Sequence, residues 1–139
     1  MPVTVFLEPS NSAAIMATLI DQDFFARLRL LNDKFAANIP TTLDRLRALR
    51  VAFNPDSPDP QTVADLQQTL HTIAGSAATF GFRSFGQQAR SLEQRMRVLT
   101  AFEAIPARDW CNWLESLDHM VAWAAIDPKA DYVEGDDAK

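Results

Sequence analysis

The chain is predicted to be all-α, an antiparallel four-helix bundle with an accessory N-terminal helix. Core-type residues recur at alternating spacings of three and four, as at Val63, Leu66, Leu70, Ile73, Ala77 and Phe80, which is the buried stripe of an amphipathic helix. Proline and glycine fall mainly between such stripes, and no strand alternation, internal repeat or low-complexity tract competes with them. A chain of 139 residues, 47% of them apolar, is about one domain with a real core.

Taken in order, Pro2 and Pro9 enclose a short apolar run at residues 3–7 that forms a strand-like or irregular arm. Ser10, Asn11 or Ser12 then caps a first helix through about residue 20, with Ile15, Met16 and Leu19 inward. A longer helix follows over about residues 22–53, its stripe running Phe24, Leu28, Leu31, Phe35, Ile39, Leu43, Leu46, Leu49 and Phe53. Pro40 removes a hydrogen bond from its middle and should kink or split it, with Thr41 or Thr42 as a new cap. Residues 54–60, NPDSPDP, are the clearest linker. Helices over about residues 61–80 and 84–101 form a hairpin, the second with the stripe Phe85, Ala89, Leu92, Met96 and Leu99. The last helix begins near Pro106 and turns Trp110, Trp113, Leu114, Leu117, Met120, Val121 and Ala124 inward. Trp123 lies off that stripe, where it covers either the accessory helix or a second subunit. Three regions result: residues 1–21 as arm and accessory helix, 22–126 as the bundle, and 127–139 as a flexible acidic tail or linker.

Composition narrows the function classes. A net charge of −5 argues against a nucleic-acid surface. No basic, apolar leader and no run of ~20 apolar residues is present, so a cytoplasmic protein without a membrane span is expected. Arg45, Arg47 and Arg50 read as a solvated helix face. Cys111 has no second cysteine and reads as a packing residue. His119 reads as an exposed structural residue, and nothing resembles a metal motif, a phosphate-binding loop, a nucleophilic serine elbow or a paired-carboxylate site.

The informative segment is residues 70–93, LHTIAGSAATFGFRSFGQQARSLE. His71 falls one position off the buried stripe, and the residues three and four away on its face are Gln67, Gln68, Ala74 and Gly75, with Ala78 one turn further. Beyond the two glutamines these neighbours are very small. A mid-helix glycine costs about 1 kcal/mol relative to alanine, so Gly75 suggests that close approach to His71 outweighs local helix stability. With the hairpin turn centred on residue 82, His71 lies eleven residues before it and Glu93 eleven after, each one position past its own stripe. The two side chains should stand level. A carboxylate bonded to one ring nitrogen would fix the tautomer and leave the other nitrogen's lone pair outward as a nucleophile.

At these residues the chain resembles the histidine-containing phosphotransfer (HPt) domains of bacterial multistep phosphorelays. Their usual pattern is His-x-x-Lys-Gly-Ser, then a glycine, then a Leu-Glu or Leu-Gln pair, matched here by His71, Gly75, Ser76, Gly81, Leu92 and Glu93. The resemblance covers roughly residues 22–125. It implies that His71 accepts a phosphoryl group from a receiver-domain phosphoaspartate or a kinase and passes it to another receiver aspartate. Gly75 would then give the receiver room and Glu93 would hydrogen-bond the imidazole. Ala74 stands where the family most often has a lysine that neutralises phosphoryl charge. Arg90, level with Ala74 across the hairpin, is the candidate substitute.

The implied partners are response-regulator receiver domains and a hybrid histidine kinase, and the carrier is expected to be a monomer. Gln67, Gln68, Ala74, Ala78 and Phe82 would form the contact surface, with Phe82 as an apolar contact at the hairpin tip. No cofactor is implied, since magnesium would sit in the receiver's acidic pocket. The chain lacks the ATP-binding boxes of a kinase, so no enzyme is expected. The reading from a different class is an HPt-like adaptor that binds a receiver or other signalling protein without accepting phosphate, which Ala74 favours.

Overall fold

The computed structural model describes residues 9–131, with side chains from residue 21 onward. The described residues form four helices, α1 (Pro9–Ala52), α2 (Pro60–Ser76), α3 (Arg83–Thr100) and α4 (Ala107–Ile126), with one 3-10 turn (Ala78–Phe80) between α2 and α3. No strand occurs among them. None of these helices is long and apolar enough to cross a membrane. The expected arm at residues 3–7 and the acidic residues beyond Asp131 lie outside the described residues, as do the side chains of Ile15, Met16 and Leu19.

The separate accessory helix is a correction. α1 is one continuous element of 44 residues, and the three candidate caps Ser10, Asn11 and Ser12 lie inside it. Nothing between residues 20 and 22 breaks a helix: Asp21 neither removes a backbone donor nor demands an unusual backbone angle. Pro40 also stays inside α1. It leaves the carbonyl of Ala36 without its donor, but both residues are exposed and water can take the donor's place. Thr42, a candidate new cap, instead donates its hydroxyl to the carbonyl of Asn38 (3.2 Å), the backbone bonding of a residue within a helix.

α1 passes through two compact units, divided between Ala36 and Ala37. In the first unit the expected core stripe is largely uncovered: Phe24 is 54% and Leu31 50% exposed, beside Phe25 at 56% and Leu30 at 69%. The described part of this unit contains α1 alone and thus no second helix for the stripe to face.

In the second unit the stripes do meet. Ile39, Leu43, Leu46 and Phe53 of the first segment, Leu66, Leu70, Ile73 and Ala77 of the second, Phe85, Ala89, Leu92 and Met96 of α3, and the inward residues of α4 are all buried. Val63, Leu49, Phe80 and Leu99 are only half-buried. Phe53 packs on Trp110 (ring centroids 5.0 Å apart), and Trp110 meets Trp113 edge to face at 6.2 Å. The buried Trp113 Nε1–H donates to the carbonyl of Leu92 (2.9 Å), which ties α4 to α3. Arg50 shares its Nε–H between the two carboxylate oxygens of Asp118 (3.1 and 3.2 Å), so it bridges to α4 and is more than part of a solvated face. Trp123 rests on Phe85 of α3, 6.4 Å between centroids. Cys111 is exposed and does not pack in the core, because it points away from the side of α4 that carries Trp110 and Trp113.

The linker ends in a strong start signal. Asp59 has an extended backbone, and its carboxylate accepts from the backbone N–H and the hydroxyl of Thr62, both at 3.2 Å, while Pro60 opens the helix. Asp59→Ala should lower stability by about 1 kcal/mol, read as a lower urea midpoint at unchanged slope, whereas Asp59→Asn, which keeps an acceptor, should lose much less.

Candidate functional site

α2 does not run through the turn. It stops at Ser76, the 3-10 turn follows, and Gly81 adopts φ 89°, a left-handed conformation open to glycine at little cost. Phe82 N–H donates to the carbonyl of Ala77 (2.9 Å) and Gly81 N–H to that of Ala78 (3.2 Å), the pair of bonds of a Schellman closure. The residue after the glycine in such a closure turns back onto the helix it ends, and Phe82 is accordingly buried, at 2% exposed. That corrects the expectation of an exposed apolar contact at the tip. The Phe82 ring lies beneath the ammonium of Lys129, 5.2 Å from centroid to nitrogen.

α3 begins at once and crosses close to the end of α2. A Cβ on Gly86 would lie 3.3 Å from both the Ala77 Cβ and the Ala78 nitrogen, tight enough that these neighbours would have to give by a few tenths of an ångström. Sequence reasoning did not single out Gly86, although a glycine three residues before Ala89 on a buried stripe is the mark of such an approach.

One hairpin-length further on, His71 Nδ1 lies 2.9 Å from Glu93 Oε2. The environments of the two partners differ. The Glu93 side chain is 8% exposed and that of His71 61%, so the carboxylate belongs to the interior edge and the imidazole to the surface. An ionised carboxylate only accepts hydrogen bonds, so in the neutral imidazole this contact places the proton on Nδ1 and the lone pair on Nε2. A third group joins them: Arg97, one turn beyond Glu93 on α3, donates from an Nη nitrogen to the same Oε2 at 2.9 Å. Arg97 was not among the expected site residues, although the Glu93–Arg97 spacing of four was the available signal.

The remaining expected residues divide by exposure. Gln68, Gly75 and Ala78 are exposed and Gln67 is half-buried, so these reach the surface, Ala78 in the 3-10 turn and the others on the helix that carries His71. No atom lies within 4 Å of where a Gly75 Cβ would stand, so the space there is open. Ala74 is 9% exposed and faces inward, which removes it from the contact surface and leaves its methyl at the bundle edge. Arg90 is exposed, one turn before Glu93, and pairs with no carboxylate among the described residues. His119 is exposed, as expected. Among the described residues no group of histidine, cysteine or carboxylate side chains is placed to hold a metal ion.

A buried carboxylate that orients one exposed imidazole on the hairpin of a helical bundle defines a histidine-presenting domain. Residues 31–126 match the family model of the Hpt domain, and the chain belongs to that family, whose members serve histidine phosphotransfer in phosphorelays. No curated protein and no solved structure matches the chain.

Because a methyl at position 75 would meet nothing, Gly75→Ala should stabilise the fold by up to about 1 kcal/mol through helix propensity alone. Chemical denaturation of the two proteins checks this, and a less stable variant would mean that the site is tighter than its geometry indicates.

Proposed function

We propose that the chain is a phosphorelay carrier with His71 as its phosphoacceptor. The single observation behind this reading is the hydrogen bond between Nδ1 of an exposed His71 and a buried Glu93, which in the neutral imidazole puts the lone pair on Nε2. In the proposed step the Nε2 lone pair attacks the phosphorus of a receiver's phosphoaspartate. An N–P bond forms, the bond from phosphorus to the aspartyl oxygen breaks, and the electron pair leaves on the regenerated carboxylate. The imidazole keeps its Nδ1 proton and gains positive charge, which Glu93 offsets. A second receiver's aspartate reverses the sequence.

Such a transfer relies on positioning and charge neutralisation rather than on covalent chemistry by the protein's other groups. The carrier therefore acts without nucleotide or metal of its own, and magnesium comes with the receiver. Gly75 and Ala78 supply the low surface on which the receiver settles, flanked by Gln67 and Gln68. Arg90 supplies positive charge to the arriving phosphoryl group from α3. The partners are receiver domains and a hybrid histidine kinase, met in the cytoplasm by a monomer. The inward methyl of Ala74 is what favours the adaptor reading, in which the same face binds a receiver without taking phosphate.

Incubation with phosphorylated receiver domains, under conditions that preserve acid-labile phosphohistidine, should label the wild type and not His71→Gln. Label on neither, with both proteins folded and receiver binding retained, would leave the adaptor. Arg90→Ala should slow uptake several-fold, in the range of a lost charge-assisted contact, and an unchanged rate would remove Arg90 from the site. Gly75→Leu should keep the fold and lose uptake.

A further inference from the structure

We propose that Arg97 is a positioning residue for phosphoryl acceptance, acting on His71 through Glu93, an inference that rests on His71 as the phosphoacceptor. Two donors converge on one atom: His71 Nδ1 and an Arg97 Nη nitrogen both lie 2.9 Å from Glu93 Oε2. The Glu93 side chain is 8% exposed, so its carboxylate has few waters and depends on protein donors to replace them. The guanidinium is tethered four residues along the same helix and fixes where Oε2 sits. Without it, the carboxylate would hold a single hydrogen bond, to a side chain on another helix, and could turn about its terminal bond.

The position of that oxygen decides the state of the imidazole. A neutral imidazole free in water prefers its proton on Nε2, the nitrogen that has to attack. Glu93 must reverse that preference, and it does so only while an acceptor stands in line with Nδ1–H. Arg97 thus selects the nucleophilic tautomer without touching the ring. After transfer, the phosphoryl group adds negative charge beside Glu93, and the guanidinium on that carboxylate offsets part of the repulsion. The Arg97 side chain is itself 59% exposed, so replacing it leaves the core intact.

The test is nitrogen-15 NMR of His71 in the wild type, Arg97→Met and Arg97→Lys, paired with phosphoryl uptake from a phosphorylated receiver. The wild type is expected to hold the proton on Nδ1. Arg97→Met should shift the population towards the Nε2–H form and slow uptake about tenfold, the size of one charge-assisted hydrogen bond. Arg97→Lys should restore much of both. Unchanged nitrogen shifts in Arg97→Met, or a slowed uptake that lysine does not relieve, would overturn the proposal. A wild type that takes no label would count against the carrier reading alone, because the tautomer comparison still decides whether Arg97 orients the ring.

Discussion

The hydrogen bond between His71 and Glu93 sets the demand that the rest of the bundle meets. It joins side chains 22 residues apart on two helices, and at 2.9 Å it tolerates only a small error in their relative height and rotation. Three features hold that register. The left-handed Gly81 ends the 3-10 turn, Gly86 lets α3 approach the end of α2, and Phe82 plugs the junction from inside. Each acts at the turn and takes effect about a dozen residues away, because helices transmit a fixed start along their length.

The other helices make that hairpin rigid. Trp113 bonds to the backbone of Leu92, the residue next to Glu93, so α4 grips α3 beside the site itself. Met96, Leu70 and Leu66 are closed from solvent beneath it, and close packing of this kind resists displacement. The result is one imidazole open to solvent on a closely packed base. Order in the carboxylate and freedom around the imidazole are separate requirements, met by burying one partner of the bond and exposing the other.

Most of the bundle was legible because its stripes are regular: the inward residues of α4 and the level placement of His71 and Glu93 follow from periodicity of three and four. What sequence reasoning missed has physical causes. The junction near residue 21 carried no breaker, so two expected helices are one. An exposed proline costs α1 less than its rule suggests, since solvent can reach the carbonyl whose donor is lost. Phe82 was read as surface because a hairpin tip is usually exposed, whereas the closure around Gly81 turns its ring inward. Arg97 escaped notice because its partner is Glu93 and not the histidine on which the motif centres. Burial of Ala74 could not be read from a residue so small, which suits either side of a helix.

The connection between α2 and α3 leaves no freedom in its length. One residue added between Gly81 and Arg83 would advance α3 by about 1.5 Å and turn it by about 100°, which carries Glu93 off the histidine's side of the hairpin and brings a neighbour into its place. The turn thus works as an indexing pin. An insertion or deletion here would turn Phe85, Ala89, Leu92 and Met96 away from the core at the same time as it takes Glu93 from the imidazole, so packing and site share one fixed length of turn.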